Sequence, residues 1–226
     1  MSNIAIKADN LTVKISETEV IKNASFEINK GEVVYLVGGN GSGKTTLVKT
    51  ILGLIQQDSG NIEIFSKPRT QKLVSQSFGY VPQYNQIDKD FPITVKEMIG
   101  LECSVSNNQC ILNEEEHLKL FKAEKLLHRK IKELSGGEFQ KILIARAMIT
   151  NPEILILDEP NNNLDRDAQK DLRGIMQNLA DEDKTIILIT HDHNLIEDED
   201  EKVLFLQHGK LHTDSAEHII NERIHF

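Results

Sequence analysis

A glycine-rich stretch of this sequence contains the residue types that hold a phosphate chain. Gly38 and the run Gly43-Lys44-Thr45 match the pattern G-x-x-x-x-G-K-[ST], in which backbone N–H groups approach phosphate oxygens that a Cβ atom would crowd. We expect Lys44 to reach the β- and γ-phosphates of a nucleotide, and the Thr45 hydroxyl to ligate Mg²⁺ between them. The alternative, an ordinary Gly/Ser turn before a helix, is disfavoured because pattern and context agree. The predicted phosphate-binding residues are Gly38, Gly39, Asn40, Gly41, Ser42, Gly43, Lys44, Thr45 and Thr46.

Two adjacent carboxylates follow a second apolar run. Residues 154–157 predict a buried strand, and Asp158-Glu159-Pro160 follows it directly. Because ligands of α/β sheets bind at the carboxyl ends of the strands, Asp158 should lie near the Mg²⁺ held by Thr45. Where a strand ends and the chain turns, one carboxylate can hold metal while the next, Glu159, polarises water. The sequence therefore predicts a phosphate-transfer site built from two separate segments.

A third segment, Leu134-Ser135-Gly136-Gly137-Glu138-Phe139-Gln140, has two interpretations. Ser135 and Glu138 have the spacing of a capping box that opens a helix. Capping does not explain the consecutive glycines Gly136 and Gly137, each of which costs a helix about 1 kcal/mol. Glycines at this point would let backbone N–H groups approach an anion closely. The functional interpretation makes this helix start a second phosphate-binding element, and a simple cap is the alternative.

Alternating and helical patterns outline the elements that must position these residues. Apolar residues alternate with polar ones over 4–15 and 24–28, which predicts half-buried antiparallel strands. A buried strand from Val33 then leads into the glycine loop and a helix that starts near Lys44. From residue 94 to 150 the period is helical, and Asn113 with Glu116 predicts a capped helix through Leu127. Residues 68–76 form a polar stretch with no predicted element.

The second half of the chain predicts a parallel sheet. A buried strand at residues 154–157, an amphipathic helix and a buried strand at residues 185–190 follow in order, and a hairpin follows around His208-Gly209. The predicted fold is therefore α/β, with a mostly parallel core sheet, an N-terminal antiparallel β subdomain and an inserted helical lobe. We expect one domain over 1–226, with the core in 1–82 and 152–212, the helical lobe in 83–151 and a tail in 213–226.

Composition limits the classes of function. The 226 residues carry a net charge of −9, which argues against nucleic acid as the main partner because phosphate neutralisation needs clustered Lys and Arg. No run of about 18 apolar residues occurs, and the N-terminus lacks the features of a signal peptide, so we expect a soluble, intracellular chain. Cys103 and Cys110 show no metal-ligand spacing and are interpreted as reduced thiols. The acidic run at 197–201 is interpreted as a solvated face.

Together these motifs resemble those of ATP-binding cassette proteins, the nucleotide-binding subunits of ABC transporters, over roughly residues 4–211. The resemblance implies a P-loop ATPase fold, with ATP and Mg²⁺ as cofactors and residues 134–140 as the signature motif. It implies that two copies pack head to tail, so that Ser135 and Gly137 of one copy meet the γ-phosphate held by the other. The resemblance implies catalytic roles for Glu159 as base, His191 as switch histidine, Gln83 as Q-loop glutamine, and Lys44. It implies that Thr45, Gln83 and Asp158 ligate Mg²⁺. It also implies that Ser135, Gly136, Gly137 and the D-loop residue Asp165 contact the nucleotide.

A narrower resemblance rests on Tyr80-Val81-Pro82-Gln83 followed by Asp90-Phe91-Pro92-Ile93-Thr94-Val95. This pair of segments is similar to the branch that serves importers of divalent metals such as zinc or manganese. In that family the segment after the Q-loop glutamine faces the membrane subunit. The implied partners are an integral membrane permease and, indirectly, an extracellular or periplasmic metal-binding protein, at the cytoplasmic face of a prokaryotic plasma membrane. A plain connector into the next helix is the alternative for this segment, because Pro92 restricts its own φ and the residue before it.

Two other classes of cassette protein remain open, together with one departure from the family pattern. A soluble cassette ATPase of cofactor assembly or DNA repair would have no permease. A translation-type cassette protein, which residues 162–165 weakly resemble, normally has two cassettes and basic surfaces. Ile15 stands where the family usually has an aromatic residue that stacks on adenine, an interaction worth about 1–3 kcal/mol in other sites. We therefore expect poor discrimination between ATP and GTP, unless Tyr35 or Phe26 has taken the stacking role.

Overall fold

Two β-sheets and six helices organise the residues that the structure, a computed structural model, describes: 3–83, 89–105, 113–161, 164–191 and 202–215. The strands are β1 (Ile4–Ile15), β2 (Thr18–Asn29), β3 (Val33–Val37), β4 (Ser59–Ile64), β5 (Lys67–Pro68), β6 (Phe78–Val81), β7 (Ile154–Asp158), β8 (Thr185–Thr190), β9 (Lys202–Gln207) and β10 (Lys210–Ser215). The helices are α1 (Lys44–Ile51), α2 (Gln71–Ser77), α3 (Val95–Val105), α4 (Glu114–Leu120), α5 (Gly136–Met148) and α6 (Arg166–Asp181). Single 3₁₀ turns at Glu124–Leu126 and Ile131–Glu133 lie between α4 and α5.

The larger sheet has the strand order β10-β9-β3-β8-β7-β6 and forms the middle layer. Its first five strands from the β6 edge are parallel, and β10 pairs antiparallel with β9. Side chains of β3 alternate between two cores. Tyr35 and Val37 pack with the helices that follow β6 in the chain, whereas Val34 and Leu36 pack with α1 and the N-terminal strands. The apolar run is buried on both faces because helices and a second sheet cover it.

The smaller sheet, β2-β1-β4-β5, is antiparallel throughout. Its inward side chains, such as Ile6, Leu11 and Ile28, are fully buried and share a core with α1. The helices α3, α4 and α5 are inserted between β6 and β7. This arrangement confirms the predicted fold: a mostly parallel core sheet, an N-terminal antiparallel sheet and an inserted group of helices.

Two predicted details are wrong. The helix that Asn113 caps ends at Leu120 instead of running through Leu127. There the backbone tightens, because the N–H of Phe121 bonds the carbonyl of Leu118, and Lys122 adopts a φ of 53° that an α-helix does not allow. The polar stretch at 68–76 contains a helix, α2, whose N-cap Thr70 accepts a hydrogen bond from the N–H of Leu73. Few α2 residues are buried, so the sequence has no apolar stripe that would predict this helix.

Some predictions fall on residues that the structure does not describe. These are the acidic run at 197–201, Cys110, Asn163, which the family resemblance places in the D-loop with Leu164 and Asp165, and the tail beyond residue 215. The side chain of Cys103 is likewise outside the described part. In the ranges that are described, no helix has both the length and the apolar character to cross a membrane.

Candidate functional site

The glycine loop joins the buried end of β3 to the start of α1, as predicted. Gly38 has a φ of 155°, and a Cβ atom added there would lie 2.2 Å from the carbonyl oxygen of Leu206 in β9. A side chain is therefore excluded by the backbone of a neighbouring strand. Gly39 and Gly41 differ, because a Cβ atom added at either would meet nothing within 4 Å. Their open sides provide the space that a phosphate chain would need.

Lys44 begins α1 and bends back over the loop. Its ammonium donates hydrogen bonds to the carbonyl oxygens of Gly38 at 2.7 Å and of Gly39 at 3.1 Å. An ammonium has three N–H donors, so one remains for an anion. Burial lowers the pKa of Lys44, and the carboxylates of Glu159 and Asp158 oppose that change. The lysine therefore lies within electrostatic reach of the two carboxylates, although the chain separates them by more than a hundred residues.

Asp158 is the last residue of β7 and is only 3% exposed. Burial raises the pKa of its carboxyl group, and the neighbouring charge of Glu159 acts in the same direction, whereas the Tyr80 hydroxyl and Lys44 lower it. Tyr80, on the adjacent strand β6, donates a hydrogen bond to Asp158 Oδ2 at 3.3 Å. Motif spacing does not single out Tyr80 for the site. The sequence feature that could have indicated Tyr80 is its position on the strand that leads to Gln83.

Glu159 lies at the turn after β7, and its side chain is held from two sides. Gln83 Nε2 donates to Glu159 Oε2 at 2.8 Å, and His191 Nδ1 lies 3.2 Å from Glu159 Oε1. The Glu159 backbone has a φ of 49°, and its N–H bonds the carbonyl of Ile189 in β8. A residue with a Cβ atom rarely adopts this conformation, which costs about 1–3 kcal/mol and is frequent at functional sites. The structure thus brings Gln83, Glu159 and His191 together at the ends of three adjacent strands.

The start of α5 lies elsewhere in the described part of the chain. The capping box is complete: Ser135 Oγ accepts from the N–H of Glu138, and Glu138 Oε2 accepts from the N–H of Ser135 at 2.8 Å. Ser135 and Gly137 line a cavity of about 190 Å³ together with Leu164 and Ala168 at the start of α6. Among the described residues, those that line this cavity do not include Gln83, Glu159 or His191.

Gly137 has a packing role that the sequence reasoning missed. A Cβ atom added at Gly137 would lie 2.7 Å from the Cβ of Ala168. No real pair of Cβ atoms approaches so closely, so the contact between α5 and α6 requires a glycine here. Asp165 has a local role as well, because its carboxylate caps α6 by accepting from the N–H of Ala168 at 2.8 Å. Helix packing therefore explains one of the two glycines without any ligand.

Neither Tyr35 nor Phe26, the two proposed substitutes for Ile15, is available for stacking on adenine. Ile15 is 43% exposed at the end of β1, whereas Tyr35 and Phe26 are each only 5% exposed inside the cores. Stacking on a base needs an open ring face, which a buried side chain does not offer. The structure therefore does not favour Tyr35 or Phe26 as a platform for adenine.

Comparisons with known proteins identify the family of the chain and proteins of similar fold. The family model described as ABC transporter matches residues 21–162. The chain is 32% identical to the zinc import ATP-binding protein ZnuC of Pseudomonas savastanoi pv. phaseolicola, over 98% of this chain and 80% of that protein. It is 34% identical to the manganese transport system ATP-binding protein MntB of Halalkalibacterium halodurans, over 90% of this chain and 83% of that protein. A dimeric ATP-binding cassette solved in a post-hydrolysis state with ADP and Pi is similar in structure, with a TM-score of 0.79, 26% identity and coverage of 93% of this chain and 98% of that one.

Proposed function

This chain belongs to the ABC transporter family, and we propose that it is the ATP-hydrolysing subunit of an importer of zinc or manganese. The observation that carries the proposal is the Glu159 carboxylate, held between Gln83 and His191 and adjacent to Asp158. A general base must be oriented toward the water that it activates, and two hydrogen-bonding partners orient this carboxylate. The names of the similar zinc and manganese proteins support the choice of cargo.

The proposed site fits ATP together with Mg²⁺. The loop from Gly38 to Thr46 would wrap the phosphates, with the remaining N–H of Lys44 directed at them. Thr45, Asp158 and Gln83 would hold the metal ion. All three offer oxygen donors, which Mg²⁺ prefers, and Gln83 uses its Nε2 on Glu159 so that its Oε1 is available. When bound, Mg²⁺ supplies neutralisation of the charge that develops on the transferred phosphoryl group.

Glu159 would accept a proton from the attacking water. Gln83 donates to its Oε2, and His191 lies beside its Oε1, so both oxygens are oriented by side chains of neighbouring strands. A carboxylate oxygen has two lone pairs, one of which could accept a hydrogen bond from water. Gln83 and His191 would hold the carboxylate in the direction that the strained turn gives it. The neighbouring Lys44 ammonium would stabilise negative charge on the phosphates.

We propose that the active unit is a pair of chains. The described residues that line the cavity at Ser135 and Gly137 do not include Gln83, Glu159 or His191, which favours contact of Ser135 and Gly137, together with Asp165, with a nucleotide on a second copy placed head to tail. The dimeric cassette with ADP and Pi supports such a pairing. In this arrangement ATP would join the two copies, and hydrolysis would release them.

The surface after Gln83 is the proposed contact with an integral membrane permease. Phe91 and Leu101 are large apolar side chains that are 53% and 55% exposed; Phe91 precedes α3, and Leu101 lies within it. Exposed apolar groups of this size mark interaction surfaces when they cluster. Through this surface, the proposed helical lobe at 83–151 would dock on the permease at the cytoplasmic face of a prokaryotic plasma membrane. A metal-binding protein outside the cell would act on the permease and only indirectly on this chain.

Replacing Phe91 tests the proposed function. In cells that lack the chromosomal gene, the unaltered chain should restore zinc or manganese accumulation under limitation, and Phe91→Ala should not, because an apolar anchor to the permease is lost. ATP hydrolysis by the isolated Phe91→Ala subunit should remain. Leu54→Ala is the matched control, since Leu54 is 62% exposed after the end of α1 and outside the helical lobe. If deletion leaves the accumulation of both metals unchanged, the cargo is wrong; if Phe91→Ala restores uptake fully, the docking surface is wrong.

A further inference from the structure

Residues 93–96 are hydrogen-bonded to residues 127–131, which precede the signature motif. The N–H of Val95 bonds the carbonyl of Arg129 at 3.0 Å, and the N–H of Ile131 bonds the carbonyl of Ile93 at 3.1 Å. The N–H of Lys96 bonds the carbonyl of Leu127 at 2.9 Å in the same ladder. Residues 91–96 and 127–131 therefore form one unit, although α4 lies between them in the chain.

Two cations extend this unit to the start of α5. Arg129 donates to the carbonyl oxygen of Glu133 at 2.7 Å and to Glu138 Oε1 at 3.1 Å. Lys89 donates to the carbonyl oxygen of Leu134, and its ammonium lies 5.4 Å from the centre of the Phe139 ring. A cation at that distance from an aromatic face is attracted to it. The two carbonyls immediately before Ser135 are thus each held by a positive charge.

Leu134 and Phe139 are almost completely buried, so the position of Lys89 is fixed against the core of the helical region. Hydrogen bonds from charged groups are stronger than those between neutral groups, and they act here on the peptide group that precedes the N-cap. Loss of the bond would leave the capping box intact, because Ser135 and Glu138 bond each other. Arg129 would still hold Glu133 and Glu138, so loss of the Lys89 bond would loosen the orientation of the box relative to residues 89–96 without abolishing it.

We propose that Lys89 is a positioning residue that holds the start of α5 in the orientation needed to meet the nucleotide of a second copy. This inference rests on the proposed function, in which Ser135 and Gly137 contact that nucleotide. It also links the proposed permease surface to the signature motif through contacts within one chain. Movement of residues 89–96 would shift Ser135, and closure of the dimer would in turn favour one placement of the permease-facing segment.

Dimerisation of the full-length chain in a Glu159→Gln background tests the role of Lys89. With Mg²⁺ and ATP, Lys89→Met should weaken the dimer about tenfold by sedimentation velocity, because a charged hydrogen bond to Leu134 is lost. Binding of a fluorescent ATP analogue to the monomer should change less than twofold, since the glycine loop is untouched. Lys89→Arg, which keeps the charge and the donor, should restore most of the dimer. Lys132→Met is the matched control, because Lys132 is exposed in the turn beside Leu134.

Amide hydrogen exchange separates this inference from the proposed function. In the nucleotide-free chain, Lys89→Met should speed exchange at residues 135–138 several-fold, and Lys132→Met should not. A Lys89→Met dimer as tight as its parent overturns the inference. If the Glu159→Gln parent itself fails to dimerise with ATP, the proposed function falls, and unchanged exchange at residues 135–138 would then overturn the positioning role as well.

Discussion

The cluster around Glu159 and the start of α5 differ in where their polar partners come from. Glu159 is held by Gln83, 76 residues earlier in the chain, and by His191, 32 residues later. Ser135, in contrast, exchanges both capping contacts with Glu138, three residues away. A cluster of distant residues exists only in the folded chain, whereas a capping box forms together with its helix. In the described part of the chain, the polar groups of the first region have no capping role and can act on a ligand, whereas those of the second region also stabilise the start of α5.

The two regions differ in backbone strain as well. Glu159 adopts a positive φ, which disfavours any residue with a Cβ atom and persists only where the surrounding structure imposes it. Ser135 has an ordinary extended conformation, as N-cap residues do. Strain in the first region indicates that the direction of one carboxylate matters more than local stability. In the second region a substitution should be felt first as a change in stability.

The largest expected effect is on turnover, from a substitution in the first region. Glu159→Gln should lower the rate of ATP hydrolysis by about 10²–10⁴-fold, because the amide cannot accept the proton of water, while ATP binding remains. The variant should accumulate as a dimer with ATP. Phosphate release and gel filtration with Mg²⁺ and ATP measure both results. Glu138→Gln is the matched change in the second region, and it should keep most of the turnover. Undiminished hydrolysis by Glu159→Gln would remove Glu159 from the role of base.

An intermediate effect is expected on stability, from Gly137. Gly137→Ala would place a Cβ atom 2.7 Å from that of Ala168, so α5 and α6 must separate. Overpacking of this kind typically costs about 1–3 kcal/mol in the free energy of unfolding, which urea denaturation measures. An unchanged midpoint would show that the helices adapt and that packing does not require glycine.

A second substitution sharpens this result. Gly137→Ala combined with Ala168→Gly restores the space between the two helices and should recover most of the lost stability. If ATP hydrolysis returns with it, packing accounts for Gly137 entirely. If hydrolysis stays low in the stable double variant, the nucleotide of the second copy also requires a glycine at position 137.

The smallest expected effect concerns the charge of the capping box. The hydrogen bond from the Ser135 backbone lowers the pKa of Glu138 below its ordinary value of 4.5. A lowered pKa means that the carboxylate stabilises the fold above that ordinary value and loses this contribution as the pH falls through the folded-state pKa. Glu138→Gln should therefore cost a fraction of a kcal/mol at neutral pH, measured by urea denaturation. The difference from the unaltered chain should shrink as the pH falls below 4.5; a constant difference at all pH values would exclude the charge as its cause.

Local patterns in the sequence were sufficient to predict much of the fold. The glycine loop, the capping box at Ser135 and the buried strands at β3, β7 and β8 all depend on residues within a few positions of one another. The helix after Asn113 was predicted too long, because its end depends on a tight turn at Lys122 that no motif marks. The helix α2 escaped notice because it buries too few residues to produce a stripe.

Residue types and spacing by themselves determined part of the candidate site: a lysine in a glycine loop and carboxylates after a buried strand. The resemblance to ABC transporter subunits added Gln83 and His191. Only the tertiary structure decided that Gln83 and His191 both contact Glu159, that Tyr80 bonds Asp158, and that Ala168 requires Gly137. The physical reason is that spacing along the chain encodes contacts within a helix or a turn, whereas contacts between strand ends and between helices depend on strand order and packing distance. Strand order placed β6, β7 and β8 side by side, and that order brought three distant side chains to one carboxylate.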